Sequence, residues 1–320
     1  MPFLAGIDEA GYGPLLGPLV VSATLWRIER RDVQSDLWAE LSECVRRKPG
    51  RGDGRIAVDD SKKVFDRKKG IATLERSVLA FASAAGLTCA SLRELLSSLG
   101  ADPTAWPAEA PWYHDLDQTL PLDRSGSAYE GIRRRLDACM KKRGVVCCRV
   151  ATEVVTAGAY NRRVNATRNK ATVLLEQVLR LIDRLARSCG ESNLHVVVDR
   201  LGGRSNYRGA LRDAFPDRHL QIVEQSPARS RYRLTSQRGE LRVDFVVDAD
   251  QKHLPVALAS MFSKYVREAL MARFNEYWRR RVPTLRPTAG YYSDARRFLE
   301  DIRPSAAEAG IALERFVRAR

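Results

Sequence analysis

The sequence predicts an α/β fold, and three observations predict it. Short apolar runs bounded by glycine and proline, residues 4–7 and 19–21, read as buried strands. A nearly continuous apolar run, residues 194–198, ends in the carboxylate Asp199 and reads as a central or parallel strand. Between such runs lie stretches of helical periodicity, residues 70–85, 168–187 and 255–269. The chain has 320 residues, 44% of them hydrophobic, enough for a sizeable core.

The first run opens a stretch in which Asp8 and Glu9 precede a loop of glycines and prolines, Gly11-Tyr12-Gly13-Pro14. Buried carboxylates are costly without a partner, so a cation is expected beside them. Gly11 and Gly13 permit positive φ and close backbone approach to a ligand. Residues 20–26 continue as a second strand, a hairpin partner of the first. Residues 32–47 read as an amphipathic helix with Leu37, Leu41 and Cys44 on one face, and residues 48–54 as a charged loop. Asp60-Ser61-Lys62-Lys63 follows; its lysines are compact cations suited to phosphates, or else a solvated pair ahead of a helix. The helix at 70–85 turns Ile71, Leu74, Val78 and Leu79 inward.

Residues 87–144 read as an insertion. A short helix at 91–99 precedes a Pro-, Trp- and Asp-rich stretch too long for an ordinary loop. A basic helix at 128–142 is either a nucleic-acid grip or a solvated face. Residues 145–150 return to strand, and the long helix after Asn161, Asn165 and Lys170 stops at Gly190. His195 reads as a structural strand residue, whereas Asp199 sits where active sites of open sheets collect. Residues 220–224 form a short strand. Residues 229–247 form a hairpin with Arg229, Arg231 and Arg233 on one side, phosphate-facing or solvated. Asp248 and Asp250 precede a helix that Pro255 opens. Residues 306–320 read as a short amphipathic helix.

The net charge of +15 and a pI near 9.9 favour a polyanion partner, nucleic acid first, or an arginine-rich solvated surface. No apolar run approaches the roughly 18 residues of a membrane span. Met1-Pro2-Phe3 leads straight into the first strand and leaves no room for a signal peptide. The six cysteines form no CxxC, as expected of a reduced cytoplasmic chain with buried thiols.

Asp8-Glu9-Ala10-Gly11-Tyr12-Gly13-Pro14 resembles the first motif of the ribonuclease HII (type 2 ribonuclease H) family, with Tyr12 where that family has arginine. Asp60-Ser61-Lys62-Lys63 resembles its second, and Asp199 its third acid, without the usual following glycine. The helix carrying Ser260, Lys264 and Arg267 is similar to the family's last motif and places Asp250, not Asp248, at the fourth acid. Gly290-Tyr291 resembles a segment whose tyrosine contacts the sugar at the scissile junction. The resemblance spans roughly two-thirds of the chain, leaving out the insertion and the late hairpin.

It implies a ribonuclease H-like fold, a mixed central sheet flanked by helices, in a single catalytic domain (1–320) with a helical C-terminal part at 265–320. It implies an endonuclease that cleaves the RNA strand of RNA–DNA hybrids, or ribonucleotides embedded in duplex DNA, leaving 5′-phosphate and 3′-hydroxyl. Asp8, Glu9, Asp199 and Asp250 would hold two Mg2+ or Mn2+ ions; Gly11, Tyr12, Gly13, Lys62, Lys63 and Tyr291 would meet substrate. A monomer is expected. A related nuclease acting on structured DNA, and a non-catalytic nucleic-acid binder, stand as rivals. Asp8 and Glu9 are neighbours on a strand, so both reach one site only if the strand ends or bulges there.

Overall fold

The computed structural model describes residues 3–28, 36–48, 54–65, 70–123, 129–190, 192–237 and 239–319. In chain order the strands are β1 (Phe3–Ala10), β2 (Leu19–Ile28), β3 (Val45–Arg46), β4 (Ile56–Ala57), β5 (Val145–Val155), β6 (Leu194–Asp199), β7 (His219–Gln225), β8 (Arg229–Ser236) and β9 (Gly239–Val246). The helices are α1 (Leu37–Glu40), α2 (Ser61–Val64), α3 (Ala72–Ala84), α4 (Leu92–Ser98), α5 (Trp106–Glu109), α6 (Tyr129–Arg143), α7 (Ala157–Thr167), α8 (Lys170–Cys189), α9 (Arg208–Ala214), α10 (Leu254–Arg279) and α11 (Tyr292–Glu308).

Seven strands form one mixed sheet in the order β5-β2-β1-β6-β9-β8-β7. The β1–β6 and β6–β9 pairs are parallel, whereas β1–β2, β2–β5, β8–β9 and β7–β8 are antiparallel. The α/β class read from the sequence is therefore the observed one: a mixed central sheet with helices on both faces. One apolar core lies between the sheet and α10, with α3, α4 and α6 beyond; the other lies between the sheet and α8.

α10 approaches the sheet closely because β1 carries glycine beneath it. A Cβ on Gly6 would stand 2.2 Å from the Pro255 carbonyl carbon and 2.2 Å from the Val256 nitrogen. Thr24 on β2 donates its hydroxyl to the Pro255 carbonyl at 2.8 Å, and Trp26 donates its indole N–H to Thr24 at 2.9 Å. On the far side, Trp112 packs edge-on to Phe274 and Phe316 with ring centroids 5.2 and 6.0 Å away, tying the 87–144 region to α10.

Buried Glu75 on α3 ties that region down a second time. Its carboxylate accepts the N–H groups of Leu122 (2.6 Å) and Asp123 (2.8 Å) and the Tyr265 hydroxyl (2.7 Å). Glu75→Gln replaces an all-acceptor head with an amide whose NH2 must face a donor. The expected loss is about 2 kcal/mol in chemical denaturation, with faster proteolysis near residues 120–123.

Several expectations change. The helix at 32–47 is a single turn, α1, followed by β3, which pairs in parallel with β4. Leu37, Leu41 and Cys44 are buried as expected, but the pairing of β3 with β4 draws the chain extended; residues 32–35 and 49–53 lie outside the described residues. The segment 306–320 is mostly not helical. α11 ends at Glu308 in a Schellman turn at Gly310 (φ +63°), where Ile311 N donates to Ala306 O at 2.9 Å and Gly310 N to Ala307 O at 3.0 Å. A 3-10 turn at Leu313–Arg315 and a bridge between Val317 and Leu16 follow.

The basic face of the β8–β9 hairpin is largely neutralised. Arg231 and Arg242 both reach buried Asp244 (3.1 and 3.2 Å), and Arg233 pairs with Glu240 at 3.3 Å. His195 lies 3.3 Å from the same Asp244, a structural place. On α6, Arg133 and Arg134 pair with Glu130, while Lys142 and Arg143 pair with Glu43. All six cysteines are free thiols. No described helix is long and apolar enough to cross a membrane.

Candidate active site

The parallel strands β1, β6 and β9 end side by side, and the acids sit at those ends. β1 and β6 pair up to Ile7–Val198, so the next residues in register are Asp8 and Asp199, on strands roughly 4.8 Å apart. β9 pairs with β6 up to Asp199–Val246, and the chain then turns through Asp248 (φ +53°) into a 3-10 turn, Ala249–Gln251, that carries Asp250. Asp199 fixes that turn, accepting the Ala249 N–H at 2.8 Å.

β1 stays regular through Ala10 against β2, with no bulge at Asp8 or Glu9. What frees Glu9 is the other edge: the ladder with β6 stops at Ile7, two residues earlier. Asp8 accepts the Glu9 N–H at 2.7 Å, and its own carbonyl accepts the Ser263 hydroxyl of α10 at 3.0 Å.

Electrostatics bring the four acids together. Burial, then the charges of Glu9 and Asp199, hold the Asp8 carboxyl well above its ordinary range, with the Ser260 hydroxyl pulling it back. Burial and Asp199 raise Glu9, against a hydrogen bond from Asp8. Burial raises Asp199, with Asp248 adding to it and the Ala249 N–H opposing it. Burial, Asp60 and Asp199 push Asp250 up to about 6. Lys62 opposes the shift at Glu9, Asp199 and Asp250 alike. Among the described residues, no group of three or more His, Cys, Asp and Glu side chains is already drawn together as a metal-ligand set.

The two lysines part company. The charge of Lys62 acts on the acids, whereas Lys63 pairs with Asp59, 3.4 Å away. α2 carries them, capped by Asp60, whose carboxylate accepts the Lys62 N–H at 2.9 Å. Ser260 Oγ lies 3.1 Å from Ser61 Oγ, pinning α2 to α10 beside Asp8.

Gly11 adopts φ +92°, and a Cβ there would strike Arg267 Nε (2.5 Å) and Pro18 O (2.6 Å), so its freedom serves packing as well as the turn. Gly13, expected to need the same freedom, does not have positive φ, and a Cβ there would meet nothing within 4 Å. Tyr12 lines a cleft of about 50 Å3 with Tyr160, Lys170, Tyr292 and Arg318. The Lys170 ammonium stands 5.7 Å from the Tyr12 ring centroid. Burial and then the Glu9 charge raise the Tyr12 hydroxyl pKa, against the charges of Arg204 and Arg318. Tyr291 is not among its lining residues: its backbone caps α11, and the adjacent Tyr292 lines the cleft, both tyrosines being about half exposed. Asn161 also turns away from any ligand, bonding the carbonyls of Glu314 (2.8 Å) and Val317 (2.7 Å).

The sequence reading missed Asp60 and Asp248 as charges at the site, and Tyr292 and Arg318 beside it. Asp60 had a signal, its place in the Asp-Ser-Lys-Lys motif, and Tyr292 had one in adjacency to Tyr291. A mixed sheet with carboxylates where its parallel strands end defines the class of site.

No protein-family model matches the chain, and no curated protein matches it in sequence. Among solved structures, it is similar to the PCNA:RNase HII complex from Archaeoglobus fulgidus, at 20% identity and TM-score 0.48 over 99% of this chain and 94% of that one. It is similar to the ribonuclease H2 from Pyrococcus horikoshii OT3 at 16% identity and TM-score 0.41, over 99% and 92%. It is also similar to Bst-RNase HIII in complex with Mn2+ at 16% identity and TM-score 0.42, over 99% and 66%. These neighbours are ribonuclease HII and HIII structures, matched along nearly the whole chain. At such identities and TM-scores they add nothing about what this chain does.

Proposed function

We propose that this chain is a metal-dependent endoribonuclease that cleaves the RNA strand of RNA–DNA hybrids, leaving 5′-phosphate and 3′-hydroxyl ends. One observation carries the reading: Asp8 and Asp199 are next in register where the β1–β6 ladder ends, Glu9 follows Asp8, and Asp199 bonds the turn that carries Asp250. A site that sets several repelling carboxylates against the single ammonium of Lys62 suits divalent ions. The donors are all oxygen, which fits Mg2+ or Mn2+, and an open arrangement leaves room for water and phosphate oxygens. When bound, two such ions activate a water and stabilise the leaving 3′ oxygen.

The chain's own residues do the rest. The four carboxylates would hold the ions; Lys62 balances their charge and offers an ammonium to a phosphate. The loop at 11–13 and the Tyr12 cleft lie where the strand beyond the scissile bond would run, and backbone groups there would read a 2′-hydroxyl.

The test is a panel of labelled duplexes with Mg2+ or Mn2+: a ribonucleotide run opposite DNA, a single embedded ribonucleotide, and an all-DNA junction. Cleavage of the run with 5′-phosphate products, absent under chelator, is expected. Inertness toward both ribonucleotide substrates with either ion defeats the reading, and cleavage of the junction alone transfers it to a structured-DNA nuclease. Because the charge of Lys62 acts on the acids while Lys63 pairs with Asp59, Lys62→Ala is expected to lower kcat/KM about tenfold or more, whereas Lys63→Ala changes it less than about threefold.

A further inference from the structure

We infer that Arg318 is a positioning residue for the loop that follows Asp8 and Glu9, supplying from the other end of the sequence a guanidinium that orients the loop's backbone toward substrate. The inference rests on the function proposed above. Arg318 is 4% exposed, yet among the described residues its side chain bonds main-chain carbonyls and not a carboxylate. Its Nη2 donates to Tyr12 O at 2.8 Å and to Pro14 O at 2.5 Å, and its Nε donates to Pro14 O at 3.1 Å. The backbone joins in, with Arg318 N donating to Leu15 O at 2.9 Å. The guanidinium lies 4.6 Å from the Tyr160 ring centroid, which fixes its plane.

The neighbours of Arg318 are anchored on both sides. Phe316 is buried against Trp112 and Trp278, Val317 bridges Leu16, and Ala319 N donates to Asn161 Oδ1 at 2.7 Å. Arg267 meets the loop from α10, donating through Nη2 to Leu16 O at 3.1 Å. Leu15 and Leu16 donate their N–H groups to Gly290 O at 2.7 and 3.1 Å.

The carbonyls of Tyr12, Pro14, Leu15 and Leu16 are thus all drawn inward. With Gly11 in the left-handed region and those carbonyls held, the main-chain N–H groups of 11–13 are the loop groups we assign to an incoming oxygen. Tyr12 stands where the resembling family has a loop arginine; here the guanidinium comes from beneath and holds the main chain.

Arg318→Met and Arg318→Lys separate positioning from bulk packing. Lysine keeps charge and stem but bonds at one point and not as a fork. Arg318→Met is expected to lower kcat/KM on a ribonucleotide-run hybrid about 100-fold, most of it in KM, and Arg318→Lys about tenfold. Added guanidinium at millimolar concentration should restore part of the loss in an Arg318→Ala background. Hydrogen exchange of peptides covering 10–17 should quicken in all three variants, while peptides from β6 and α8 hold. Unchanged exchange at 10–17, or a KM equal to the parent's in a folded Arg318→Met protein, overturns the inference. If the parent cleaves nothing while exchange at 10–17 still quickens, the function fails and the positioning stands.

Discussion

Asp250→Asn abolishes cleavage and, without divalent ion, makes the fold more stable: these two effects are expected together. Asp250 is partly buried and pushed from an ordinary 3.8 up to about 6 by burial, Asp60 and Asp199. The folded chain therefore holds this proton more tightly than the unfolded chain does. In the metal-free protein, the stability that protonation provides is complete below about pH 4 and is lost as pH rises through about 6. At neutral pH the ionised carboxylate opposes folding; asparagine removes that charge at nearly equal volume. A gain of about 1–2 kcal/mol follows, read as a rise in Tm of about 2–4 °C at pH 7.5 with chelator, shrinking toward zero at pH 4. The same change removes a ligand charge, so cleavage should fall by about 10^3-fold or more. Affinity for a hybrid in chelator should hold or improve, since a phosphate meets one fewer repelling charge. Mg2+ should raise the parent's Tm and raise the variant's less, because binding to the folded state alone carries that effect. A variant that cleaves as the parent does, or whose Tm falls equally at pH 4 and 7.5, contradicts the reading of these acids as a shared cation site.

The legible part of the site was the part written locally. β1, β6 and the end of β9 are apolar runs with an acid at or just past their ends, so their type and their importance could be read together. The stripe on α10 and the special backbone of Gly11 were equally plain, whereas Gly13 needs no such freedom. What escaped depends on partners distant in sequence. One turn of helix at 37–40 followed by a two-residue parallel bridge has no periodicity to detect; β4 imposes it. The arginines of β8 look like a phosphate ribbon until Asp244 and Glu240 are seen opposite them. Arg318 is one of 54 lysines and arginines, and nothing nearby in sequence marks it as buried. The neighbouring Asp8 and Glu9 raised a real geometric objection. The bulge it asked for is absent; β1 instead outruns its ladder with β6, and relative strand length is a property of the assembled sheet.

The second large effect is expected at Gly6, two residues before Asp8 and on the same face of β1. Its missing side chain sets how near α10 can come. A Cβ there would sit 2.2 Å from two backbone atoms of the α10 amino end and 2.5 Å from the Pro255 oxygen. Backbone cannot turn aside as a flexible side chain does, so strand or helix must shift by an ångström or more. That shift would break the Thr24–Pro255 hydrogen bond and loosen the Ser263 bond to the Asp8 carbonyl. Leaving buried groups unpaired and a core displaced costs about 3 kcal/mol or more. Gly6→Ala should therefore lower Tm by about 6 °C or more, or leave the protein insoluble. Whatever folds should cleave poorly, because Ser260 and Ser263 ride on the displaced helix beside Asp8. Gly13→Ala is the control: with open space around its Cβ and no positive φ, it should keep Tm within about 1 °C. Equal Tm values for the two variants would mean that α10 does not rest on β1 through Gly6, and the placement of Asp8 against Ser260 would fall with it.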